Sequence, residues 1–285
     1  MNRILVTGAT GLFGGEVASQ LSTNDVPIRL LVRDPSRVPT FDGSVEVVVG
    51  DYMDSGALAE AMSGIEKMFL ATYDQPEIIE HQANVLAVAK KRGLRHVVRL
   101  SSDGTEECRQ LPIFRWHGDC ERQLESSELD FTHIKPTWIM QNFEYFVVND
   151  KLRLPSADGR IGLVDHRDVA AVAVLALTDP GHEGKAYILG TESLSHAEIA
   201  QELSEATGRT ISYEDISPIE YQRELESFEW DAASIESMLG LFADVRAGIN
   251  SDSNISDTVE PLLGRPGIKF RQFAFDYASK IGIDS

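Results

Sequence analysis

Two cysteines in 285 residues, Cys108 and Cys120, exclude a disulfide framework and a four-cysteine zinc site. Positive charge is scarce: 26 Lys and Arg stand against 45 Asp and Glu, for a net charge of −19. A phosphate backbone or an anionic membrane surface requires a cationic face, so direct nucleic-acid binding is not expected. The imbalance is steepest in residues 181–285, with 8 bases and 19 acids, which reads as a solvated helical surface. No run approaches the ~20 apolar residues of a membrane helix. Met1-Asn2-Arg3 leads at once into a strand-like run without a signal-peptide pattern, so the expected location is cytoplasmic. Hydrophobic residues make up 42% of the chain and charged residues 25%, enough for a buried core in one large domain or two units.

The first half alternates short β-rich runs with amphipathic stretches. Strands are expected at residues 4–6, 28–32, 45–49, 67–71, 96–100 and 131–135, and helices at 16–21, 57–62, 78–92 and 114–126. Residues 45–49, Val-Glu-Val-Val-Val, carry apolar side chains on both faces, as a parallel strand covered on both sides should. Such alternation implies βαβ units and an α/β fold of the Rossmann type, a doubly wound parallel sheet. After about residue 140 the pattern loosens. Residues 184–189 are strand-like, Ser195 caps a helix running to Thr207, and 218–262 is mostly helical and acidic. The expected division is a nucleotide-binding domain over 1–150. A smaller, mostly helical part over 151–285 covers it and sends one or more segments back to the sheet.

Thr7-Gly8-Ala9-Thr10-Gly11-Leu12-Phe13-Gly14 lies where the first strand meets the first helix. A pyrophosphate needs close backbone approach and unpaired N–H groups, and a helix N-terminus supplies both. Glycines at 8, 11 and 14 permit the tight turn, the approach and the helix–strand packing. A dinucleotide site is therefore expected, with Gly8, Thr10, Gly11, Leu12, Phe13 and Gly14 around the phosphates. Where an NAD site places an acidic residue at the end of the second strand, this chain has Arg33, followed by Arg37. A guanidinium suits a 2′-phosphate, so the expected cofactor is NADP(H). Asp34 complicates that choice, since turned inward it would restore an NAD-type site.

Those residues, with Val32-Arg33-Asp34-Pro35, Gly50-Asp51-Tyr52, Ser101-Ser102 and Pro136-Thr137-Trp138-Ile139-Met140-Gln141-Asn142-Phe143, resemble the NmrA-like branch of the atypical short-chain dehydrogenase/reductases. Gly181-His182-Glu183-Gly184-Lys185-Ala186-Tyr187 and Leu263-Gly264-Arg265-Pro266 extend the resemblance to its bacterial quinone reductase and triphenylmethane reductase members. It implies that Asp51 and Tyr52 border the adenine, and that Ala71, Thr72 and Tyr73 pass beside the ribose and phosphates. It further implies that Ser101, Pro136 and Trp138 line the nicotinamide end. Asp165-His166-Arg167-Asp168 could pass for a metal cluster, but the resemblance implies a lock between this stretch and the next helix, and no metal is expected.

The Tyr-x-x-x-Lys of ordinary members of the superfamily is missing from the helix after the fifth strand. The matching site falls on His117, whose imidazole, with an unperturbed pKa of ~6.5, suits proton donation or carbonyl orientation near neutrality. Glu121, one turn on, is expected to support its charged form. Two readings stay open. One is an NADPH-dependent reductase of a small, electron-poor, apolar molecule such as a quinone or enone, with Phe143, Tyr145 and Phe146 walling the pocket and 220–245 acting as a lid. The other is an NADP(H)-binding redox sensor that regulates a partner. Beyond the small-molecule substrate, a homodimer is left open.

Overall fold

Ile4, Leu5, Val6 and Thr7 are buried together, which places the first strand at the centre of a sheet with helices on both faces. In the computed structural model, which describes residues 3–249 and 255–282, this strand is β1 (Ile4–Thr7). It is followed by β2 (Ile28–Val32), β3 (Val45–Val49), β4 (Lys67–Leu70), β5 (His96–Leu100) and β6 (Asp130–Pro136). The strand Lys185–Leu189 completes seven, in the order Lys185–Leu189, β6, β5, β4, β1, β2, β3. The pairings between neighbours from β6 to β3 are parallel; Ile4 faces Ile28 on one side and Lys67 on the other. The fold is thus Rossmann-type and doubly wound, and the strand order reverses between β1 and β4, where such sheets bind ligands.

The helices follow from local signals. Helix α1 (Leu12–Thr23) starts at Gly11 without a side-chain cap. Helix α2 (Ser55–Ala61) is capped by Asp54, whose carboxylate accepts the N–H groups of Gly56 and Ala57. Helix α3 (Ile78–Arg92) ends at Gly93, whose φ of 75° provides the left-handed cap. Helix α4 (Pro112–Glu125) carries His117.

The expectation for β3 fails at Val47 and Val49, which are 42% and 55% exposed. The strand ends the sheet; Val47 and Val49 share one face, while Val48 is buried on the other, where Glu46 pairs with Arg3 and Arg29. No edge is visible in a five-residue pattern.

The chain forms two compact units, each built from several separate segments. The first comprises Met1–Ser102, Trp116–Lys135 and Val169–Tyr187; the second comprises Asp103–Arg115, Pro136–Asp168 and Ile188–Ser285. The interleaving has a physical cause: the helix His166–Thr178 and the strand Lys185–Leu189 return to complete the large sheet. Besides its helices, the second unit holds two three-stranded sheets. Trp138–Ile139, Arg160–Val164 and Glu192–Ser195 form one; Val147–Val148, Lys151–Leu154 and Ser212–Asp215 form the other. In the stretch expected to be mostly helical, Pro218–Ser227, Ala232–Arg246 and Val259–Leu263 are helices, while residues 250–254 lie outside those described, as do 283–285. Capping boxes begin two helices of this unit, Ser195 with Glu198 and Ser217 with Glu220. Among the described residues, no helix is long and apolar enough to cross a membrane.

Candidate functional site

Gly8 leaves β1 with a φ of 68°, and Gly11 returns its N–H to the Gly8 carbonyl at 2.9 Å. A Cβ on Gly14 would stand 2.4 Å from the Gly8 carbonyl carbon, so α1 packs against the turn at a distance only glycine allows. Gly11 differs, for a Cβ there would meet only the Gly8 oxygen at 3.4 Å and would point into open space beyond it. Thr10 and Phe13 are half-buried, and Leu12 is exposed. The first turn of α1 contains no acidic residue to satisfy its N–H groups.

The ends of β4 and β3 adjoin this turn. A Cβ on Gly8 would touch the Ala71 side chain at 3.3 Å, and the Ala71 N–H donates to Thr7 Oγ1 at 3.1 Å. The Tyr52 hydroxyl donates to the Ala71 carbonyl, and desolvation pushes its pKa up to about 12. Asp51 folds onto its own loop and accepts the N–H groups of Met53 and Asp54. Thr72 is half-buried and Tyr73 exposed.

At the end of β2, Arg33 is exposed and donates Nη2 to the Tyr73 hydroxyl. Asp34 does not face it as a competitor: its Oδ1 accepts both the Ser36 N–H at 2.9 Å and the Ser36 hydroxyl at 2.7 Å. Those bonds, more than the charge of Arg37, hold the Asp34 carboxyl below its usual range. Arg37 closes the 3₁₀ turn Pro35–Arg37 and is exposed.

At the end of β5, Ser101 is buried and donates its hydroxyl to Glu121, which also accepts from Lys135 Nζ at 3.2 Å. Desolvation would raise the Glu121 carboxyl, but the Ser101 bond and the Lys135 charge outweigh it and hold it low. Glu121 is therefore not the partner expected for His117. That ring, 6% exposed, lies between two other groups: Asp74 Oδ1 is 2.9 Å from Nε2 and Arg99 Nη2 is 3.1 Å from Nδ1. Arg99 is fully buried and donates Nε to Gln82 Oε1 at 2.7 Å; Gln82 in turn donates to the Cys120 carbonyl at 2.7 Å. Cys120 is buried beside this group, and desolvation raises its thiol, so it is not poised as a thiolate.

Arg99, Gln82, Asp74 and Lys135 are absent from the sequence reading. One signal was available: Arg99 interrupts His96-Val97-Val98-Arg99-Leu100, and a charge inside a central parallel strand needs a buried partner.

Pro136, Trp138 and Phe143 belong to the second unit. Pro136 is buried at the end of β6. The Trp138 ring packs on Phe242 and Phe146, with centroids 5.4 and 6.0 Å away. Phe143 is not a pocket wall: it is fully buried against Phe146 and Phe270, while Tyr145 is 73% exposed. Asp165 accepts from Arg167, and Asp168 accepts the Ile268 N–H at 2.6 Å and pairs with Arg265 at 2.7 Å, which ties this stretch to residues 265–268. Among the described residues, no group of three or more His, Cys, Asp or Glu is placed to hold a metal ion.

Three similarities bear on this arrangement. An NAD(P)H azoreductase of Xenophilus azovorans is 32% identical over 289 residues, covering 98% of this chain and 99% of the relative. A (4-alkanoyl-5-oxo-2,5-dihydrofuran-3-yl)methyl phosphate reductase of Streptomyces griseus subsp. griseus is 34% identical over 281 residues, 96% of this chain and 98% of the relative. The structure of an NADPH-dependent quinone oxidoreductase of Escherichia coli, complexed with NADPH, shares the fold with a TM-score of 0.82 at 24% identity, over 95% of this chain and 98% of that one. The family model described as NmrA-like matches residues 1–264, and the chain belongs to the NmrA-like family.

Proposed function

We propose that the protein is an NADPH-dependent reductase that passes a hydride to a small, electron-poor, apolar acceptor such as a quinone, an enone or, by analogy with the Xenophilus relative, an azo compound. The observation that carries this reading is the pairing of the glycine turn with Arg33 while Asp34 is engaged by Ser36. The residues fit the cofactor on physical grounds. Gly14 lets α1 pack closely on the Gly8 turn, Gly11 leaves room in front of it, α1 opens without a capping side chain, and Arg33 offers a cation for a 2′-phosphate. In this reading Gly8, Thr10, Gly11, Leu12, Phe13 and Gly14 hold the phosphates, with Arg33 and Arg37 at the 2′-phosphate. Asp51 and Tyr52 flank the adenine, Ala71, Thr72 and Tyr73 the ribose, and Ser101 the nicotinamide. Bound there, the nicotinamide supplies the hydride. The chain's own task is placement, exclusion of water and polarisation of the acceptor, for which His117 Nε2 is the available donor.

The full engagement of His117 by Arg99 and Asp74 also supports the second reading, an NADP(H)-binding regulator without turnover. Titration with NADPH and NADH, followed by NADPH oxidation across quinones, enones and azo compounds, separates the two. Tight NADPH binding with turnover of one class is expected; binding without turnover of any would select the regulator. Failure to bind NADPH would reject both.

A further inference from the structure

The buried guanidinium of Arg99 settles what kind of group His117 is. An arginine only donates hydrogen bonds, so Nδ1, 3.1 Å from Arg99 Nη2, must accept. The ring proton then sits on Nε2, which donates to Asp74 at 2.9 Å. A second proton on Nδ1 would set N–H against N–H and place a cation beside a buried cation. Burial lowers the proton affinity of Arg99, yet its reference pKa of ~12.5–13.8 leaves it charged at neutral pH. The guanidinium cannot swing away at low cost, since Nε is fixed by Gln82, itself fully buried and anchored to the Cys120 carbonyl.

We propose that Arg99 is a positioning residue that keeps His117 a neutral imidazole with its proton on Nε2, so that His117 acts on substrate as a fixed hydrogen-bond donor and not as a proton source. The substrate part of this statement rests on the reductase reading; the tautomer part does not. Asp74 holds the donor in the absence of substrate. Its side chain is 59% exposed, so an acceptor oxygen or nitrogen can displace it with little repacking.

Of the groups facing His117, the Asp74 carboxylate at Nε2 favours a charged ring, but the second proton that charge requires could sit only on Nδ1, against the Arg99 guanidinium. Strand β5 contributes Arg99, the segment after β4 contributes Asp74, and α3 contributes the uncharged Gln82. On α4 itself, Cys120 lies beside the guanidinium, and Glu121 is drawn to Ser101 and Lys135. From β6, His133 and Lys135 both face Glu121. A neutral histidine donor kept in one tautomer by a fixed neighbour is a known way to polarise a carbonyl near pH 7.

Two measurements test the proposal. Nitrogen-15 spectra of wild-type imidazoles, with the His117 signals identified by their loss in His117→Asn, should show the neutral Nε2–H tautomer at neutral pH. An imidazolium at His117 under those conditions, or the Nδ1–H tautomer, would overturn it. The hydride-transfer rate should lack a histidine limb in wild type and in Arg99→Lys, which keeps a cationic donor. Arg99→Met should acquire one, the rate falling about threefold or more as pH rises through ~6.5, because the released ring can take a second proton at low pH and the imidazolium is the stronger donor. Matching profiles in wild type and Arg99→Met would overturn the positioning role. Should Arg99→Met fail to fold, the wild-type spectra still decide the tautomer. If no substrate is turned over, the reductase reading fails while the spectra remain decisive for Arg99.

Discussion

The Arg33 guanidinium lies over the Tyr73 ring, its central carbon 5.0 Å from the centroid, and donates to the same tyrosine's hydroxyl. A ring beneath the cation and an oxygen at its edge hold an exposed side chain at the end of β2, where the 2′-phosphate of NADP(H) is expected. A charge-assisted contact of this kind contributes about 1.5–3 kcal/mol. Arg33→Ala should therefore weaken NADPH binding about tenfold or more and leave NADH binding nearly unchanged. Calorimetric titration of both cofactors checks this, and equal wild-type affinities for NADPH and NADH would remove Arg33 from the role.

Gly14 and Gly11 should respond differently to substitution. At Gly14 even a methyl group would collide with the Gly8 backbone at 2.4 Å, so Gly14→Ala should distort the turn and lower the melting temperature. Gly11 has room for a Cβ, so Gly11→Val should fold like wild type yet lose NADPH affinity by blocking the phosphates. Circular dichroism melts combined with binding titrations distinguish them. Retained NADPH affinity in Gly11→Val would show the loop to be purely structural.

His117→Ala should slow single-turnover hydride transfer about 10²–10³-fold with little change in NADPH affinity, the effect of removing one well-placed donor. His117→Gln should recover part of that loss, because its amide presents N–H to the substrate and oxygen to Arg99. His117→Lys should not, since its ammonium would face the buried guanidinium. A rate in His117→Ala within about threefold of wild type would remove the residue from the chemistry.

Buried His96, His133 and His196 make stability acid-sensitive. Desolvation, the leading cause at each, lowers their pKa values to about 4, 4 and 3. The unfolded chain, with histidines near ~6.5, binds protons before the native state does, so stability is full above that value and declines as pH falls toward the folded values. Each histidine contributes up to about 1.4 kcal/mol per pH unit within that window. Urea unfolding between pH 7 and about 5.5, above most carboxylate titration, should show the decline, and His133→Gln should make it shallower. Stability independent of pH across that interval would contradict the neutral burial of these rings.

The large sheet was legible in the sequence because its strands are short apolar runs separated by helical patterns, and the glycine turn because its spacing is local. The small sheets of the second unit were not. Trp138–Ile139 and Val147–Val148 are two residues long, and Glu192–Ser195 and Ser212–Asp215 are largely polar, so they are strands by pairing and not by hydrophobic period.

By itself the sequence determined the doubly wound fold, the glycine turn between β1 and α1 and the basic residue at the end of β2. Each depends on neighbours within a few positions along the chain, where spacing and residue type carry the geometry. Tertiary structure alone decided the surroundings of His117. Its position one turn before Glu121 suggests a carboxylate partner, but β6 supplies Lys135 and β5 supplies Ser101 to hold that carboxylate. Arg99 and Asp74, 18 and 43 residues away along the chain, take the two ring nitrogens instead. A side chain's protonation follows from what stands beside it in space, and the packing of a helix onto two parallel strands sets those neighbours.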